Sequence, residues 1–145
     1  MPKKGKAAEP LLENRPEWAG PPAYYEKPHS CMTKMDFCRS ESFGSRGKLF
    51  ACEWGTLAPL NSPNPKDLHH SFQVMCVDVN EGTGERFFHN KKSGPGTGGL
   101  ERPVDCKFHP DGDSLYVLDF GTADVSTGMM LSYAHTGALW KITKE

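Results

Sequence analysis

Glycine and proline interrupt this chain so often that long helices have little room: 145 residues hold 15 Gly and 12 Pro. Together they make roughly 19% of the chain, against an average near 12%. Gly costs a helix backbone entropy, and Pro removes a backbone donor. What is left between them is a series of short apolar runs, the pattern of an all-β protein. Hydrophobic residues reach 37%, too many for a wholly disordered chain. The length by itself is a prior for one domain.

Residues 1–27 read as an irregular N-terminal segment, because Pro2, Pro10, Pro16, Pro21 and Pro22 break any periodicity. From about residue 30 the pattern changes. Strands are expected over Met32–Cys38, Leu49–Trp54 and Phe72–Val79, and a tight turn at Asn80–Gly84 leads into Glu85–His89. Phe72–Val79 carries apolar residues on both faces, which predicts a strand covered on both sides. A second group follows the Gly-rich loop 92–100. Val104–Phe108 and Leu115–Asp119 flank the turn His109-Pro110-Asp111-Gly112-Asp113, and Ala138–Thr143 closes the chain after a loop over 120–137. No amphipathic helix of three turns is expected anywhere.

Charge and cysteine content exclude several classes. The net charge is −1, which predicts no long-range attraction to nucleic acid or to an acidic membrane surface. No apolar run approaches the ~18–20 residues of a membrane-spanning helix. Met1-Pro2-Lys3-Lys4-Gly5-Lys6 has no apolar segment behind it and does not read as a signal peptide. Cys31, Cys38, Cys52, Cys76 and Cys106 are odd in number and lack zinc-ligand spacing, so they read as reduced, structural thiols, several of them pointing inward from strands.

Several motifs carry little chemistry in context. Asp119-Phe120-Gly121 matches the metal-binding triplet of protein kinases, but the chain is too short and lacks their other motifs. Gly94 to Gly99 satisfies the dinucleotide-binding spacing, yet Pro103 and a strand follow where a helix is required. His69 and His70 are adjacent, so on an extended chain they point to opposite faces and do not form a metal pair.

The second strand group runs Gly98-Gly99-Leu100-Glu101-Arg102-Pro103-Val104-Asp105, continues through Pro110-Asp111-Gly112 and Leu115-Tyr116-Val117-Leu118-Asp119-Phe120-Gly121, and ends in Thr136-Gly137-Ala138-Leu139-Trp140-Lys141-Ile142. Upstream stand Pro28-His29-Ser30, Asp36-Phe37, Gly47-Lys48-Leu49-Phe50-Ala51-Cys52-Glu53-Trp54-Gly55 and Phe72 to Val79. This series, over residues 28–145, resembles the last two blades of the glucose/sorbosone dehydrogenase family, six-bladed β-propellers that include PQQ-dependent sugar dehydrogenases. The resemblance implies antiparallel four-stranded blades of an incomplete propeller, with one blade over about 30–90 and a closing blade over about 100–145. A propeller blade is four antiparallel strands, and the closing group here offers three.

By the same resemblance, Arg102, three positions before Asp105, matches a basic residue that holds PQQ. Val104 stands where the glucose-specific branch has a second arginine, and Gly55 stands near an expected lysine. The family's catalytic histidine and calcium ligands belong to earlier blades, so the resemblance names no catalytic residue and no metal ligand in this chain. It implies oxidation of a sugar or aldehyde only when further blades complete the ring. The rival expectation is a non-catalytic β module that uses exposed strand edges, and apolar residues such as Val74, Val117 and Trp140, to associate with itself or a partner. Relatives of this kind are often exported, and no compartment follows from the sequence.

Overall fold

The computed structural model describes residues 21–60, 70–92, 96 and 98–143. His69 and parts of the Gly-rich and N-terminal segments lie outside them. Among the described residues there are nine strands and no helix. The first four, β1 (Met32–Phe37), β2 (Leu49–Glu53), β3 (Gln73–Asp78) and β4 (Thr83–His89), form one antiparallel sheet in sequence order. The second sheet has the order β5 (Pro103–Phe108), β6 (Ser114–Asp119), β9 (Ala138–Thr143), all antiparallel. Within 120–137, expected as a loop, β7 (Ala123–Asp124) pairs with β8 (Leu131–Ser132) as a short ribbon. Strands of two residues leave no alternation to read in a sequence.

Strand alternation decides which side chains meet between the sheets. Phe50 and Cys52 of β2, with Val74 and Cys76 of β3, point toward Cys106, Leu115 and Val117 of the second sheet. Trp140 and Ile142 of β9 pack against the same cluster. Phe43, from the β1–β2 connection, inserts edge-on to Phe50 at 5.7 Å and to Phe108 at 5.0 Å. Phe50 in turn meets Phe87 at 4.8 Å and Phe108 at 5.1 Å, again edge to face. Each such pair adds about 1 kcal/mol beyond the area it buries. The opposite face of the first sheet is buried as well: Ala51, Glu53, Gln73, Met75 and Val77 all lie inside. This is the doubly covered strand that the Phe72–Val79 pattern predicts.

The sheets meet along β1 and β5, which run side by side in the same direction. Thr33 Oγ1 donates to the Pro103 carbonyl at 3.4 Å, and Lys34 Nζ pairs with Asp105 at 3.3 Å. Lys107 Nζ reaches the Met35 carbonyl at 3.2 Å, and the Phe108 amide donates to Asp36 Oδ2 at 3.0 Å. Parallel alignment of these two strands brings one set of loops to one end of the molecule: 28–31, 54–60, 70–72, 90–92, 98–102 and 120–137. The shorter connections, 38–48, 79–82 and 109–113, lie at the other. The long-loop end contains Arg102.

Candidate functional site

Arg102 sits on the loop entering β5, and it is almost completely buried, at 1% exposure. Its guanidinium lies between two aromatic rings, 4.1 Å from the centre of Trp54 and 4.9 Å from that of Phe72. Nη1 donates to the carbonyls of Trp54 at 3.2 Å and Thr56 at 3.3 Å, and Nη2 donates to the Ala123 carbonyl at 3.2 Å. The planar fork suits this task, because it bonds in its plane and stacks on its faces. One arginine therefore ties the first sheet, the loop after it and the β7 ribbon together. Burial lowers its pKa, while Glu101 and Cys31 oppose that shift. Nε is buried and has no partner.

The backbone holding Arg102 is fixed by Asp119, the last residue of β6. Its Oδ1 accepts from the amides of Arg102 at 2.7 Å and Gly121 at 2.9 Å. Its Oδ2 accepts from the Glu101 amide at 2.7 Å and from Trp140 Nε1 at 3.3 Å. Four donors from three segments saturate one buried carboxylate. Asp119 is thus a fastening for the loop, and its oxygens offer no vacancy to a metal. Among the described residues no group of three or more His, Cys, Asp or Glu side chains is placed to hold a metal ion.

Neighbouring loops are fastened in the same way. Glu101 accepts the amides of Gly96 at 2.6 Å and Gly98 at 3.1 Å, so the Gly-rich loop wraps a carboxylate of its own chain. Asn90 and Leu100 exchange two hydrogen bonds, of 2.6 and 3.0 Å, which join the end of β4 to the loop entering β5. Gly55 has a φ of +91°, and a β-carbon there would stand 2.6 Å from the Phe72 ring. Its lack of a side chain lets Phe72 come against Arg102.

The arrangement bears directly on a PQQ site. A tricarboxylated quinone needs basic groups with open donors. Arg102 directs three of its five N–H donors at backbone carbonyls, and its guanidinium lies over the rings of Trp54 and Phe72. As arranged here, Arg102 is 1% exposed and its unpartnered nitrogen, Nε, is buried, so it presents no open donor to a carboxylated cofactor. What the constellation does is hold two sheets and three loops in one relative position.

Sequence reasoning singled out Arg102 but neither Asp119 as its fastening nor Glu53. The signal for Glu53 was in the alternation: it shares a strand face with Leu49 and Ala51, so a buried carboxyl was legible there. His70, by contrast, is hydrogen-bonded to Ser71 at 2.8 Å. His109 pairs with Asp111 at 2.7 Å in an exposed turn.

At the short-loop end, a cleft of about 650 Å³ opens between the β1–β2 connection and the β5–β6 turn. Its charged groups pair among themselves, Arg46 with Glu41 at 3.2 Å and His109 with Asp111. The outer face of the second sheet is different in kind. Leu118 is 47% exposed and Leu139 65% exposed, beside Tyr116 and Asp105, and they line a shallow cavity of about 200 Å³.

Comparison with protein-family models and with curated proteins finds no match for this chain.

Proposed function

We propose that the chain supplies two blades of a glucose/sorbosone dehydrogenase-like β-propeller, and that its own contribution is a scaffold with an assembly surface. The observation that carries this reading is the bare outer face of the β5–β6–β9 sheet. Leu118 and Leu139 lie open there, and among the described residues no strand pairs with the far edge of β9. Open edges and apolar sheet faces drive association. Arg102 and Asp119 fix the angle between the two sheets, which is what a blade pair needs in order to fit a ring. Oxidation of a sugar or aldehyde with PQQ would then depend on residues from further blades.

Light scattering on the full chain tests the assembly surface. The expected result is a concentration-dependent mass above 16.1 kDa that returns to the monomer value when Leu118 and Leu139 are both replaced by Ser. A strict monomer at every concentration, with no sugar-dependent reduction of an electron acceptor on adding a protein carrying the other blades, would overturn the reading.

A further inference from the structure

On the outward face of the first sheet lies a carboxyl group placed where an anion has little support. Glu53 of β2 is fully buried, at 0% exposure. Its Oε2 accepts from Gln73 Nε2 at 2.7 Å, while its Oε1 is buried and accepts from nothing. Across this face runs the segment 21–27. The Ala23 carbonyl lies against Gly82, and the Tyr24 ring presses on Gly84, 2.7 Å from where a β-carbon would stand. Tyr24 donates its hydroxyl to Glu26 Oε2 at 2.6 Å, and the Lys27 amide donates to Glu26 Oε1 at 2.8 Å. Ser30 anchors the far end of the segment by donating to the Lys27 carbonyl at 2.9 Å, and Ser71 donates to Ser30 at the same distance.

So placed, the Glu26 carboxylate lies within hydrogen-bonding reach of the Glu53 carboxyl. Two ionised carboxylates are acceptors only and repel each other, whereas a single proton between them makes one a donor. The unpartnered Oε1 of Glu53 is the atom that such a proton would satisfy. We propose that residues 21–27 form a proton-locked strap, held on the sheet by one proton shared between Glu53 and Glu26 and released when that proton is lost. Lifting the strap would open the apolar residues behind it, Ala51, Met75 and Val77, which share the face of Glu53.

The surrounding groups agree with this. Burial, reinforced by Glu26 and opposed by hydrogen bonds from Gln73 and Ser71, pushes the Glu53 carboxyl up to about 7. Tyr24 is raised to about 12 by burial and by Glu26, so it stays a donor throughout the relevant range. Gln73 and Met75 of β3 bring no charge, and His70, bonded to Ser71, is the further titratable group on this network.

Hydrogen exchange on the full chain at pH 5.5 and 8.5, corrected for intrinsic rates, tests the lock. Protection of the Lys27 amide, which donates to Glu26, is expected to fall about 30-fold at the higher pH, the deprotonation ratio 1.5 units above the group's titration point. Glu53→Gln keeps a donor in place at every pH and should abolish the fall. Glu26→Gln, at a half-exposed position, should do the same by donating to ionised Glu53. Protection that is level with pH in the unsubstituted chain would overturn the proposal. So would a 30-fold fall that persists in Glu26→Gln, since the strap would then not be held by a proton shared with Glu26.

Discussion

Asp119 and Arg102 are joined through both side chain and backbone. The carboxylate accepts the arginine's amide at 2.7 Å, and the arginine's carbonyl accepts the amide of Phe120, the next residue after Asp119, at 2.9 Å. The side chain of Arg102 then reaches away from this pair to the carbonyls of Trp54 and Thr56, in the loop that leaves β2 of the first sheet. Asp119 therefore acts on the junction between the sheets without touching the first sheet itself.

Replacing Asp119 by Asn turns an acceptor-only group into one that presents two N–H donors to a ring of four donors. Bonds to a buried charge are lost and amides are left unpaired. The expected cost is about 3 kcal/mol, read as a lower urea midpoint at unchanged slope.

Arg102→Lys separates charge from geometry. A lysine keeps the cation but cannot bond Trp54, Thr56 and Ala123 together, nor lie flat between Trp54 and Phe72. A loss of about 2 kcal/mol is expected, followed by Trp fluorescence during urea unfolding. PQQ added to the unsubstituted chain should leave the midpoint where it is. A PQQ-dependent rise that Arg102→Lys abolishes would return this residue to cofactor binding.

How legible was this in the sequence? Strand existence followed from alternation, and boundaries such as Leu49–Trp54 against the observed Leu49–Glu53 differ only at the ends. Arg102 could be marked by its motif, but its burial depends on how two sheets stack, which local pattern does not encode. The contacts from Arg102 span 21 to 48 residues. The β7–β8 ribbon was invisible because two-residue strands have no period. Glu26 was hidden for another reason: it lies in a Pro-rich stretch whose order comes from the sheet beneath it.

Stability should vary with pH in a direction set by Glu53. Its folded value, about 7, lies above its ordinary value of 4.5, so between them the folded state holds the extra proton. The stabilisation is complete below pH 4.5 and is lost as pH rises through 7. The full loss is about 3 kcal/mol at the upper end. Urea midpoints measured from pH 5 to pH 8.5 should fall accordingly, and Glu53→Gln should flatten the curve over that range. A midpoint that rises with pH would sink this assignment.

The thiols offer a separate check on the packing between the sheets. Cys31 is exposed, whereas Cys38, Cys52, Cys76 and Cys106 are buried, and none forms a disulfide. The thiolate is the reactive form, and a buried sulfur is closed to the reagent. Contact with the Cys106 thiol and burial both push the Cys52 thiol upward, and burial does the same to Cys76. An aromatic disulfide reagent should therefore titrate one thiol rapidly in the native chain and all five after denaturation. Cys31→Ser should remove the fast phase and leave the rest unchanged. If a second thiol reacted at the native rate, the seam holding Cys52 against Cys106 would have to open far more readily than this packing allows. The same experiment repeated on Asp119→Asn reports whether the fastening at Arg102 keeps that seam shut, since loosening it should speed the slow phase.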